Sequence, residues 1–443
     1  MKIKQFEYKP LSHYSYAIIS EDKMAVIDPE RNPQQYYDFA EENNASIIAI
    51  IETHPHADFI SSHLEIHKKT GATIYNSKKI GAAYPHQSFD EGDSIELGSI
   101  LLKALNTPGH SPDSITIVAS ENDNTVLFTG DTLFIGDIGR PDLREKAGNM
   151  KAKREELAEM MYHTIQEKFT DLPDDAIIYP AHGAGSLCGK SMSDANSSTL
   201  GNERMGNWAF KEQSKEEFID TLLDGQPFIP SYFGYDVDLN KMGAENVKPS
   251  IETISFFENS TANGLSIDIR DEKSFKKGHL KESINIQAIS DTAKFETWLG
   301  AIVEPEERFT LVIDSKNNKD KLLNRVAKIG YEKQVEKVIT LSEENLMVSK
   351  KIDLVDFKKN PEEYTIIDIR NKSEVEEGKI FDTAISHPLN ELRKTASKIP
   401  TDKPIVVHCA GGYRSAAGSS ILQKKLKNVT VYDLSDAVKE FQK

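Results

Sequence analysis

At 443 residues the chain outgrows one ordinary hydrophobic core and is expected to hold about two to four domains. A formal charge of −16 disfavours nucleic acid or an anionic membrane surface as a partner. Only two cysteines, Cys188 and Cys409, exclude a disulfide framework, and neither an apolar signal core after Met1 nor a window near the ~18 apolar residues of a membrane span is found, so a soluble cytoplasmic protein is expected.

The first 130 residues read as short strands at 3–8, 14–20, 24–28, 46–53, 101–106, 114–119 and 125–129, interrupted by helical patterns at 33–43 and 58–69. Polar runs follow several of these strands. Glu52-Thr53-His54-Pro55-His56-Ala57-Asp58-Phe59 comes after an apolar run, and Thr107-Pro108-Gly109-His110 and Thr129-Gly130-Asp131 repeat the arrangement. Tyr179-Pro180-Ala181-His182-Gly183 does so a fourth time. A glycine or proline beside each candidate ligand lets the backbone turn tightly enough to bring distant strand ends together. The pattern predicts two sheets flanked by helices, with a metal site at the strand ends.

Residues 144–168 read as a charged helix, 183–207 as a long functional loop and 214–223 as a further helix, with 226–247 closing the first domain. The rest is an internal repeat. Ser266-Ile267-Asp268-Ile269-Arg270 with Gly278 returns 100 residues later as Ile366-Ile367-Asp368-Ile369-Arg370 with Gly378. Each copy continues to a second apolar strand, a loop, a helix and a last strand, which predicts a small parallel sheet with helices on its faces.

After that second strand the last copy has His408-Cys409-Ala410-Gly411-Gly412-Tyr413-Arg414-Ser415, whereas the middle copy has Asp314-Ser315-Lys316-Asn317-Asn318. The middle copy is therefore expected to have no covalent chemistry. In the last copy, glycines at 411 and 412 let successive N–H groups face inward at a helix start, a field that with Arg414 stabilises negative charge on sulfur. The loop from Ala410 to Tyr413 is the candidate sulfur-binding loop, and its tight ring suits a sulfur atom carried on Cys409 better than a phosphate.

His54, His110 and Asp131 form a two-histidine, one-carboxylate set that leaves coordination positions open and suits non-haem Fe(II). The same domain type can instead hold two zinc ions, but the residue after Asp58 is Phe59, which cannot ligate, so one metal is favoured. His56, Asp58 and His182 then orient ligands or contact substrate, with His56 as a direct ligand the remaining alternative. Tyr179 is grouped with these substrate-side residues. Cys188, six residues after His182, either packs in the core or approaches the metal mouth.

The runs 54–59, 107–110 and above all Thr129-Gly130-Asp131-Thr132-Leu133-Phe134-Ile135-Gly136-Asp137-Ile138-Gly139-Arg140-Pro141-Asp142-Leu143 resemble the persulfide dioxygenases of the metallo-β-lactamase superfamily. Residues 250–443 resemble tandem rhodanese modules, and nearly the whole chain is similar to bacterial fusions of the two. The resemblance implies an α/β chain: an αββα sandwich at 1–245, an inactive rhodanese-like domain at 246–345 and an active rhodanese domain at 346–443.

It further implies one Fe(II) per chain, held by His54, His110 and Asp131, and O2-dependent oxidation of a low-molecular-weight thiol persulfide to sulfite and free thiol. The thiol would be of the glutathione, coenzyme A or bacillithiol type. Cys409, with Arg414, would then pass a sulfur to sulfite to form thiosulfate, as in sulfide detoxification. Arg140 is expected either to hold an anionic part of the thiol or to form a surface salt bridge. A homo-oligomer without nucleic-acid or membrane partners is expected. The rival readings are a glyoxalase II-like dinuclear zinc thioester hydrolase, and a sulfur carrier whose working part is Cys409 alone.

Overall fold

The computed structural model describes residues 1–144 and 153–442. It divides into two compact units, Met1–Lys248 with Ala327–Gly330, and Pro249–Val326 with Tyr331–Lys443. Among the described residues no helix is long and apolar enough to cross a membrane.

The first unit is built on two six-stranded sheets. In one, β1 (Lys2–Tyr8), β2 (His13–Ser20), β3 (Lys23–Ile27), β4 (Ser46–Ile51), β5 (Thr73–Asn76) and β6 (Gln87–Ser88) lie in chain order. In the other, β7 (Ser94–Leu97), β8 (Ile100–Asn106), β9 (Ile115–Glu121), β10 (Asn124–Gly130), β11 (Ile177–Pro180) and β12 (Ser198–Thr199) do the same. Side chains alternate across each strand, so each sheet has two apolar faces to bury. The inner faces share one core, with Tyr16, Ile18, Ile27 and Ile51 against Leu97, Leu102, Ile117 and Phe128.

On the outer faces, Val26 and Ile50 pack with Tyr36 and Ile66 from the helices Gln34–Glu42 and His63–Thr70. Leu127 and Ile178 pack with Met161 and Phe218 from the helices Arg154–His163 and Lys215–Leu223. The result is the expected helix–sheet–sheet–helix sandwich. Being covered on both sides explains why β4 reads Ser-Ile-Ile-Ala-Ile-Ile rather than alternating.

Several elements differ from the sequence reading. The helix expected at 58–69 begins only at His63. The Asn240 side chain donates to the His56 and Phe59 carbonyls and accepts from the Ser61 N–H, so the backbone of 56–61 is held in a loop instead. Asn240 itself lies on a helix, Tyr232–Met242, within the stretch read only as closing the first domain. The loop expected at 183–207 ends early, in β12 and the helix Leu200–Gly206, which Thr199 caps. Of the helix expected at 144–168, residues 145–152 lie outside those described. Strands β5, β6 and β7 are two to four residues long and carry too little periodicity to be seen in sequence.

The second unit holds two all-parallel sheets. The first, β13 (Phe256–Ser260), β14 (Ser266–Asp268), β15 (Ser283–Asn285), β16 (Phe309–Val312) and β17 (Val335–Leu341), has the order β13-β17-β16-β14-β15. The second, β18 (Thr365–Asp368), β19 (Ile385–Ser386), β20 (Ile405–His408) and β21 (Val431–Asp433), has the order β19-β18-β20-β21.

The repeated Asp-Ile-Arg sequence is a structural clip in both copies. Arg270 forks onto Asp268 and donates to the Gly278 carbonyl at 2.8 Å. Arg370 forks onto Asp368 and donates to the Gly378 carbonyl at 3.0 Å. Each carboxylate is buried, so the bidentate arginine supplies the partner that burial demands.

Candidate metal centre

Turns at the ends of β4, β8 and β10 bring His54, His110 and Asp131 together. One ligand atom from each lies within 4.8 Å of the others, and all three side chains are buried. Gly130 makes the approach possible. Its φ is +53°, and a Cβ there would stand 2.5 Å from the Thr53 hydroxyl oxygen.

The imidazoles are oriented from behind. His110 Nδ1 donates to the Arg140 carbonyl at 2.9 Å, and its Nε2 faces Asp131 Oδ2 at 3.5 Å. His54 Nδ1 lies 3.0 Å from Thr53 Oγ1, and its Nε2 is 3.7 Å from the same Asp131 oxygen. Burial, then His56, hold His54 well below the usual imidazole range, so it is neutral and able to donate a lone pair. Asp131 Oδ2 accepts no hydrogen bond among the described residues. A buried carboxylate oxygen left without a donor and faced by two imidazole nitrogens is the donor set a divalent metal satisfies.

Asp28, to which the sequence reading gave no part in the site, completes this support through Thr53. Asp28 accepts from the Thr53 N–H at 2.7 Å and from its hydroxyl at 2.8 Å, so Asp28, Thr53 and His54 form one hydrogen-bonded chain. Asp28 holds a left-handed φ of +49° to do this. An aspartate closing an apolar strand reads as a turn residue, and nothing in its spacing marks it. Asp28→Asn is expected to weaken metal retention about 10- to 100-fold, as loss of a ligand-orienting partner does. Chelator competition on the folded protein measures it.

The remaining candidates fall around this centre. His182 bridges two carboxylates, Nδ1 to Asp131 Oδ1 at 2.7 Å and Nε2 to Asp58 Oδ2 at 2.9 Å. Burial opposes its protonation, but Asp131 and Asp58 outweigh burial and hold it well above the usual range. The His56 ring lies 4.2 Å from that of His54, but its Nε2 is 3.2 Å from Asp28 Oδ1, and its donor atoms group with Asp28 and Glu52 rather than with His54, His110 and Asp131. Phe59 is fully buried, its ring 3.9 Å from that of His13 and 4.4 Å from that of His56. His13, which opens β2 and bridges to His182, is a further neighbour that the motif spacing did not reveal.

Cys188 is brought beside Asp58 and His182, within 4.8 Å by ligand atoms, rather than into an apolar core. Burial pushes its thiol up, and Asp131 and Asp58 add to this. Arg140 is not the surface ion pair that was expected as one alternative. It is buried, forks onto Asp142 at 2.6 and 2.7 Å, and donates to the Leu187 carbonyl, while its backbone N–H donates to the Cys188 carbonyl. Its guanidinium is engaged in holding the 187–188 segment. Tyr179 packs on Phe128 and Tyr16, with no contact to the ligands among the described residues.

In the second unit, Cys409 is buried at the end of β20, and the Gly412 N–H donates to its sulfur at 3.2 Å. The helix Ser415–Lys425 starts directly after the loop, and Ser415 Oγ donates to the Gly412 carbonyl. Arg414 forks onto Glu374 at 2.6 and 2.7 Å, which orders the loop end. At the matching place in the middle copy Ser315 caps a short turn at Lys316–Asn318.

The model of the metallo-beta-lactamase superfamily matches residues 8–182, and that of the rhodanese-like domain matches 257–341 and 353–443. The crystal structure of a metallo-beta-lactamase from Staphylococcus aureus subsp. aureus COL is 32% identical with a TM-score of 0.68, covering 77% of this chain and 99% of its own. The chain belongs to the metallo-beta-lactamase superfamily. Among superfamily relatives, the mitochondrial persulfide dioxygenase ETHE1 of Bos taurus is 29% identical over 182 residues, 40% of this chain and 66% of its own length. Hydroxyacylglutathione hydrolase GloC of Haemophilus influenzae is 27% identical over 191 residues, 38% of this chain and 84% of its own. This superfamily member therefore joins a metallo-beta-lactamase domain to rhodanese-like domains, the fusion architecture its motifs implied.

Proposed function

We propose that the chain is a mononuclear iron persulfide dioxygenase joined to a sulfurtransferase, arranged as 1–245, 246–345 and 346–443. The observation that carries this reading is Phe59. Its buried phenyl ring, packed against those of His13 and His56, offers no donor atom to a second metal, while the His54, His110 and Asp131 set stays intact. Iron held by those three residues would supply O2 activation.

The chain's own residues do the rest. Thr53 with Asp28, and the Arg140 carbonyl, fix the two imidazoles. His182 fixes the free rotation of Asp131, and the burial of every group at the centre keeps bulk water away. Overall a persulfide RSSH, O2 and water give RSH and sulfurous acid, which ionises to sulfite. The outer sulfur loses the four electrons that O2 gains. At Cys409 the sulfite lone pair attacks the outer sulfur of the cysteine persulfide. The S–S bond breaks, Cys409 leaves with the electron pair as thiolate beside the Gly412 N–H, and thiosulfate departs.

A second reading has one observation in its favour. Asp58, His182 and Cys188 form another donor triad, so a dinuclear zinc hydrolase of thioesters is the alternative. Oxygen-electrode assays separate the two. The iron-loaded protein is expected to consume O2 with glutathione, coenzyme A or bacillithiol persulfide and to leave lactoylglutathione intact. Turnover of lactoylglutathione without O2 uptake contradicts the proposal.

A further inference from the structure

The cysteine-free middle copy has no part in the chemistry above, yet it touches the Cys409 loop at Tyr413 and Arg414 and the segment behind it at Ser435. Tyr413, inside the loop, donates its hydroxyl to the Gln287 carbonyl at 2.7 Å, and the Gln287 side-chain amide reaches the Tyr413 carbonyl at 3.4 Å. The guanidinium of Arg414 lies over the Trp298 ring at 5.9 Å. Behind the loop, Ser435 Oγ donates to the Glu272 carboxylate at 2.6 Å.

Ser435 matters because of what leans on it. Gly412, whose N–H faces the Cys409 sulfur, has φ +99°, and a Cβ there would stand 2.8 Å from the Ser435 carbonyl carbon and 2.7 Å from the Asp436 nitrogen. Ser435 itself holds a left-handed φ of +52°. The segment that backs Gly412 is therefore kept in a costly conformation, and its hydroxyl is anchored on the middle copy. Next to it Asp433 pairs with Lys276 of the middle copy at 2.7 Å, and Lys276 pairs with Glu272 at 2.9 Å.

These contacts are one connected structure. Gln287 Oε1 accepts from the Glu272 N–H at 2.9 Å, so the group holding the front of the loop and the group holding its back are bonded to each other. Gln287 is 5% exposed, where an unanchored amide would be costly. Within the last copy the loop is clamped by Glu374 on Arg414, by Ser415 Oγ on the Gly412 carbonyl and by Gln442 on the Ala410 carbonyl, while Tyr413 is held from the middle copy.

We propose that Gln287 and Glu272 of the middle copy are positioning residues for the Cys409 loop, holding Tyr413 and the support under Gly412 so that the Gly412 N–H faces the sulfur. The inference rests on Cys409 being the sulfur carrier. Loss of its own active loop is then compatible with retention of the copy, because its helix start at Glu272 and Gln287, two residues after β15, serve the neighbouring loop. In sulfur transfer the Cys409 sulfur attacks the outer sulfur of thiosulfate, the S–S bond breaks, and sulfite leaves with the electron pair. The step is redox-neutral, and its reversal regenerates the thiolate that the loop must receive.

The test uses the full-length chain with thiosulfate as donor and cyanide as acceptor. Gln287→Ala and, as a smaller change, Tyr413→Phe are expected to lower kcat about ten-fold, with KM and melting temperature held, since a loop displaced by a fraction of an ångström loses that much. Hydrogen exchange should rise in the 409–415 peptide alone, and persulfide-dependent O2 uptake should be unchanged. Wild-type kcat in both variants overturns the inference, as does a loss of kcat in Gln287→Ala that only follows a fall in melting temperature while Tyr413→Phe behaves as wild type. If Cys409→Ser kept full activity, the reading of Cys409 would fall first, and this inference with it.

Discussion

Asp131→Ala is expected to abolish persulfide-dependent O2 uptake, with a loss of at least about three orders of magnitude, because several kcal/mol of metal-derived stabilisation disappear together. Asp131 does two things no neighbour duplicates. Its Oδ2 is the carboxylate oxygen facing both His54 and His110, and its Oδ1 holds His182. Burial would raise its carboxyl, but His182, His110 and His54 outweigh burial and hold it well below the usual range, which favours the anion. Without it only the two imidazoles of the set remain, too few donors to retain iron. Elemental analysis should show the metal gone, and sulfurtransfer between thiosulfate and cyanide at Cys409 should persist. Retained iron with retained O2 uptake would remove Asp131 from the ligand set.

The second large effect falls on the other chemistry. Cys409→Ser is expected to reduce thiosulfate formation to background while sulfite release from persulfide and O2 continues, so sulfite accumulates. The serine hydroxyl cannot carry a sulfane sulfur, and the Gly412 N–H then faces an oxygen with no transferable atom. Ion chromatography of sulfite and thiosulfate in one reaction distinguishes the outcomes. Loss of both products would mean that the two chemistries are coupled.

The cluster of polar residues at the strand ends was legible because strands buried on both faces read as apolar runs, and the polar residues that interrupt them stand out. The parallel sheets of the second unit were legible through the repeat, whose Asp-Ile-Arg and glycine are the clip itself. What escaped is set by tertiary contacts. Asp28 supports His54 through Thr53, a relation between two strand ends that spacing does not encode. Cys188 sits by the ligands because the Arg140 backbone and guanidinium hold residues 187–188, so a cysteine whose local sequence suggested packing has a different place. Asn240 lies on a helix obscured by Gly234 and mixed aromatics, yet it shapes the 56–61 loop. Gln287 looks like any polar residue after a short strand until the fold puts Tyr413 against it.

On the proposed function a single iron is held by His54, His110 and Asp131. Elemental analysis of the full-length chain purified without added metal tests it most directly. One iron per chain, lost in Asp131→Ala, is the predicted result. Two zinc ions per chain, with no iron and no O2 uptake after iron loading, would contradict it.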